Sequence, residues 1–105
     1  MSKEIVVLIT APSLREAQTI GRKLVEEKLA ACANIIPQIA SIFSWQGEIR
    51  RERESLMILK TRQSCFDRLV TRVKSLHSYS VPEIIALPII RGSKDYLRWI
   101  RNTTR

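Results

Sequence analysis

The chain has 105 residues and a mass of 12.1 kDa, the size of one domain. Hydrophobic residues make up 45% and charged residues 27%, with three glycines and four prolines, a balance that excludes disordered, collagen-like and low-complexity chains. Eighteen Lys and Arg against ten Asp and Glu give a net charge of +8; residues 1–49 balance five against five, so residues 50–105, with thirteen against five, hold all of the excess and raise the question of an anionic partner.

Ile5 to Thr10 is a continuous β-branched apolar run and reads as a strand buried on both faces. It is too short for a signal-peptide core, an acidic residue precedes it, and no apolar run approaches the roughly 20 residues that span a bilayer. A cytoplasmic chain with no membrane partner is expected. Ala11-Pro12 breaks the strand, and Ser13-Leu14-Arg15-Glu16 reads as a capping box in which hydroxyl and carboxylate each satisfy the other residue's amide. Ala17, Ile20, Leu24 and Val25 then recur at helical spacing to about Lys28.

Ala31 to Ile42 is extended, with a bend or bulge expected at Pro37. Cys32 lies in an apolar stretch and reads as a buried thiol; with Cys65 far away, no CxxC and one histidine, a closed structural zinc site lacks ligands. Gln46-Gly47 is a hairpin turn, and Glu48 to Thr61 is the return strand. Its charged run, Arg50 to Glu54, must be solvated or held by a partner.

Ser64 is positioned to cap a second helix carrying Phe66, Leu69, Val70, Val73 and Leu76, with Arg68, Arg72 and Lys74 towards solvent. A connection, His77 to Glu83, leads to a strand from Ile84 to Ile90, and Ser93 caps a short final helix with Tyr96, Leu97, Trp99 and Ile100. The order βαββαβ, with right-handed crossovers, predicts a ferredoxin-like α+β sandwich: an antiparallel sheet ordered 4-1-3-2 with both helices on one face. Pro37 and Pro88 then fall on the two edge strands, where a missing donor is tolerated.

Strands 2 and 3 run well beyond the typical ~5–6 residues, so the hairpin must project. An apolar ribbon carrying Ile42, Phe43, Trp45 and Ile49 aggregates unless paired, which predicts a closed homo-oligomer. The other arrangement has the hairpin curling back over its own sheet.

Several segments together resemble the CutA divalent-cation tolerance family. They are Val7 to Pro12, Leu24 to Pro37, Ser41 to Ile49, Ile58 to Thr61, His77 to Ile84 and Tyr96 to Trp99, covering nearly the whole of residues 1–105 as a single domain. The resemblance implies a fold related to PII signalling proteins, a homotrimer held by strand pairing between subunits, and a role in tolerance of copper and other divalent cations. No enzymatic reaction comes with that fold.

His77, Tyr79 and Glu83 share one connection beside an edge strand, and imidazole with carboxylate suits Cu(II) or another divalent cation. Trp45 and Lys60 match family positions near the cleft between subunits. The expected site is therefore a pocket at the subunit junction formed by Trp45, Lys60, His77, Tyr79 and Glu83. His77 and Glu83 are its metal ligands, and Lys60 is a group for a small anionic ligand. Ile9 and Leu76 stand where some family members have Cys and His, so His77 and Glu83 give only two good metal ligands. In a purely structural reading His77 caps the preceding helix, Tyr79 and Pro82 shape the turn, and Glu83 pairs with Lys60 or an arginine.

Two other classes share the topology. An RNA-recognition domain stacks bases on aromatics of strands 1 and 3, which here carry none, so nucleic acid is not the expected partner. An acylphosphatase needs a glycine-rich phosphate loop after strand 1; Thr10-Ala11-Pro12-Ser13 has no glycine, Ser13 serves as a cap, and no triad partner is evident, so no enzyme activity is expected.

Overall fold

The structure, a computed structural model, describes residues 3–105. The apolar N-terminal run forms β1 (Glu4–Ala11) in the middle of the sheet. There follow α1 (Leu14–Glu26), β2 (Cys32–Trp45), β3 (Glu48–Arg62), α2 (Phe66–Leu76), β4 (Ile84–Pro88) and α3 (Lys94–Thr103). The sheet order is β2-β3-β1-β4 and every pairing is antiparallel, as the crossover argument requires. Pro37 and Pro88 sit on the edge strands β2 and β4.

Alternation along β1 divides the sheet into two unlike faces. Ile5, Val7, Ile9 and Ala11 are buried with Met57 and Leu59 of β3 under Ala17, Ile20 and Leu24 of α1 and Leu69 and Val73 of α2. Gly21 lets α1 approach β2 closely: a Cβ there would lie 3.2 Å from the Ala33 Cβ. The opposite face is covered only at one end, where Tyr96 of α3 reaches Cys32 and Thr104 accepts from Arg62, and is bare elsewhere among the described residues. Val6 and Leu8 are half-buried, and Ile36, Ile85 and Leu87 are 41%, 50% and 50% exposed. A strand that reads as buried on both faces is thus fully covered on one.

Ser13 caps α1 as expected, its Oγ accepting from the Glu16 amide at 3.1 Å. The reciprocal half of the capping box does not form. The Glu16 carboxylate instead accepts from the Ser78 amide and hydroxyl, both at 3.0 Å. The helix stops at Glu26, slightly before the expected end. Lys28 takes a left-handed conformation (φ 63°), its amide donating to Val25 O and the Leu29 amide to Leu24 O. That is a Schellman stop with lysine where glycine is usual.

The register of β2 on β3 shifts between Ile36 and Ile39, the bulge expected at Pro37. Gln46 (φ 52°) and Gly47 (φ 81°) both have positive φ, the pattern of a type I′ hairpin turn. Ser64 lies in a 3₁₀ turn, Gln63–Cys65, so α2 begins at Phe66 rather than at a serine cap. Ser93 stands at the N-cap of α3 but contributes its carbonyl, to the Leu97 amide, and no hydroxyl cap bond. β4 ends at Pro88, before the expected Ile90.

β1 reaches only as far as Ser55 along β3, so among the described residues Glu48 to Glu54 pair with β2 alone. These seven residues make an arm about 23 Å long, and every residue from 42 to 53 is exposed. The molecule measures 43 × 25 × 22 Å. Its radius of gyration of 14.1 Å exceeds the ~13 Å of a compact chain of this length.

Candidate functional site

The arm and the 77–83 connection enclose a cavity of about 860 Å³ above the end of β1. Ser41, Ile42, Phe43 and Trp45 come from β2, Arg50, Glu52 and Glu54 from β3, Ser78 to Val81 and Glu83 from the connection, and Thr10 and Pro12 from the end of β1. Strand geometry sets the wall: Ser41 pairs with Glu52 and Phe43 with Arg50 in register, so their side chains share one side of the ribbon. Phe43 and Trp45 are 39% and 40% exposed.

Of the five residues expected at the site, Trp45, Tyr79 and Glu83 meet in this cavity. His77 lies behind it. Its side chain is fully buried, and Nε2 is 2.7 Å from the carbonyl oxygen of Thr10. A carbonyl only accepts, so Nε2 carries the proton, and Nδ1 accepts from the Tyr79 amide at 3.0 Å. Both ring nitrogens are therefore occupied, Nε2 tying the connection to β1 and Nδ1 holding the turn of the connection itself. The Glu16 carboxylate lies 3.4 Å from Nδ1. The ring does not cap the α2 carbonyls; the His77 backbone amide closes the helix on Val73 O.

Lys60 stands apart, on the sheet face opposite the core, where its ammonium donates to Asn34 Oδ1. Cys32, in register with Lys60, is half-buried rather than buried, its sulfur 3.6 Å from the same Asn34 oxygen and 4.0 Å from the Tyr96 hydroxyl. Glu83 is exposed and makes no hydrogen bond or ion pair among the described residues, so it pairs with neither Lys60 nor an arginine. Among the described residues no three His, Cys, Asp or Glu side chains converge as metal ligands.

Glu54 is the residue that inspection of the sequence missed. It belongs to a charged run expected to be solvated, yet it is only 7% exposed and accepts from the Tyr79 hydroxyl at 3.0 Å. Its phase with the half-buried Leu56 and Ile58 puts it on the side of β3 away from the core, and its cover comes from Tyr79 of the distant connection, so no local signal marks it. Burial first, and then the Glu54 carboxylate, push the Tyr79 hydroxyl pKa up to about 12. Arg50 is 3.6 Å from Glu52.

A βαββαβ sandwich with one largely bare sheet face and a long hairpin arm defines an α+β domain of the split-βαβ class. The chain belongs to the CutA1 divalent ion tolerance protein family, whose model matches residues 5–103. It is 54% identical over 101 residues to the divalent-cation tolerance protein CutA of Thermus thermophilus, covering 96% of this chain and 98% of that one. It is 46% identical to the chloroplastic CutA of Arabidopsis thaliana, again over 96% of this chain but spanning 56% of that protein's length. Among solved structures, the Cut A1 tolerance protein from Thermus thermophilus superposes with a TM-score of 0.96 at 53% identity, covering 97% of this chain and 99% of that one. The periplasmic CutA from Archaeoglobus fulgidus gives 0.94 at 47% identity, covering 97% and 99%.

Proposed function

We propose that the protein acts in divalent-cation tolerance as a homotrimer. In this reading the bare sheet faces and arms pack between copies, and the cavity at each junction binds a regulatory ligand. The observation that carries the reading is the largely uncovered apolar sheet face beside a ribbon with no partner strand of its own among the described residues. Exposed edges and apolar patches of this kind are covered in stable soluble proteins, and a closed ring covers all of them at once.

The ligand role rests on the cavity, whose volume falls in the usual range for small-molecule sites. Copper reaches His77 only by displacing Thr10 O or the Tyr79 amide, so tolerance here acts through ligand binding and assembly rather than a resident copper held by His77 and Glu83. The two free thiols, Cys32 and Cys65, suit a reducing cytoplasm.

The test is rescue of a copper-sensitive strain lacking its own family member. The wild-type chain is expected to restore growth, and Ile85→Glu, a change on the bare face at a residue that does not line the cavity, is expected to fail while still folding. Full rescue by a folded but monomeric Ile85→Glu protein would overturn the reading.

A further inference from the structure

The sign of charge around the cavity runs against that of the chain. The protein carries 18 basic and 10 acidic residues, yet the cavity is lined by three carboxylates and one guanidinium. Arg50 is already beside Glu52. That leaves Glu54, buried and holding the Tyr79 hydroxyl, and Glu83, with no partner among the described residues. Lys60, the group expected to draw an anion, is outside the cavity on the sheet face opposite the core.

The walls are aromatic as well as acidic. Phe43, Trp45 and Tyr79 are three of the chain's six aromatic residues, and all three line this one space. Aromatic faces attract a poorly hydrated cation through their quadrupole, whereas a divalent metal ion demands converging oxygen or nitrogen ligands. No such convergent set exists among the described residues. A carboxylate with spare capacity beside aromatic faces fits an ammonium group carried on an apolar body.

We infer that the cavity between the arm and the 77–83 connection is a site for a small organic cation, an amine or quaternary ammonium with an apolar or aromatic body, seated between Trp45, Phe43 and Tyr79 with Glu83 as counter-ion. This rests on the reading of the cavity as a ligand site and deepens it from ligand to chemical class.

The experiment is a two-dimensional NMR titration of the ¹⁵N-labelled full chain with benzyltrimethylammonium and, separately, with benzenesulfonate. The ammonium is expected to shift the Trp45 indole and the amides of residues 78–83 saturably, while the sulfonate leaves them unmoved. Glu83→Gln is expected to weaken ammonium binding roughly two- to fivefold, and Trp45→Leu by about two- to fivefold; both changes are on exposed positions and leave the rest of the spectrum in place. Equal or tighter binding of benzenesulfonate to the same residues overturns the cationic assignment and leaves the ligand site standing. Saturable binding of neither probe overturns both.

Discussion

Tyr79 joins the two halves of the cavity. Its amide donates to the buried His77 ring and its hydroxyl to Glu54 on the arm. The hydroxyl pKa, 10.0 in an ordinary tyrosine and about 12 here, is raised because burial and then the Glu54 carboxylate disfavour the phenolate. Between those values the folded chain binds more protons than the unfolded one, so the contribution is present in full below about pH 10 and is lost as pH rises to about 12. In a spectrophotometric titration, the step absent from Tyr79→Phe is expected near pH 12 and to move down in Glu54→Gln; a Tyr79 step at its ordinary pH in the wild type would contradict the Glu54 bond. From the sequence, His77, Tyr79 and Glu83 could be seen to lie together, because they share one connection. Glu54 could not, because its burial depends on a connection arriving 25 residues later in the chain. Glu16 misled for the same reason: Ser78, 62 residues away, takes the carboxylate that a local capping box would use.

Secondary elements followed local chemistry closely where the chemistry is backbone-driven. Ser13, the Pro37 bulge and the Gln46-Gly47 turn each act where their residue types dictate. Ends set by tertiary packing moved, as at Ser64 and Ile90. The stop of α1 is instructive because Lys28 holds a left-handed conformation that disfavours any Cβ. Its side chain is exposed, and its carbonyl accepts from the Arg105 amide, a bond that any residue preserves. Lys28→Gly is therefore expected to raise stability by about 0.5–1 kcal/mol in urea unfolding. A loss of similar size would show that the lysine side chain, not the backbone, holds this stop. The matching expectation for the turn is opposite in sign. Gly47 has open space around it, so Gly47→Val meets no clash and loses about 1–2 kcal/mol through backbone strain in the same assay. An unchanged midpoint would contradict the type I′ turn.

On the scale of the whole molecule, the surface is the informative quantity. A folded monomer of 12.1 kDa is expected to expose about 6,000 Å², whereas this chain exposes 7009 Å². The difference, about 1,000 Å², is comparable to what one partner buries in a stable interface. It comes from the arm and from the bare face with Ile36, Ile85 and Leu87. The long hairpin was legible in the sequence as two strands of excessive length. The bare face was not, because an unbroken apolar run such as Ile5 to Ile9 reads the same whether its second cover comes from its own chain or from another copy. The excess of positive charge also takes its place at this scale. Arg72 is paired with Glu27 between the helices and Arg101 with Glu4 at the sheet end, while the cavity itself is acidic.

Sedimentation equilibrium of the purified chain tests the central claim, that these copies assemble through their bare faces. A homotrimer gives three times 12.1 kDa, about 36 kDa, independent of concentration across the micromolar range. Ile85→Glu is expected to lower that mass while keeping the far-ultraviolet circular dichroism of the fold. A wild-type mass of 12.1 kDa at every concentration would contradict the account.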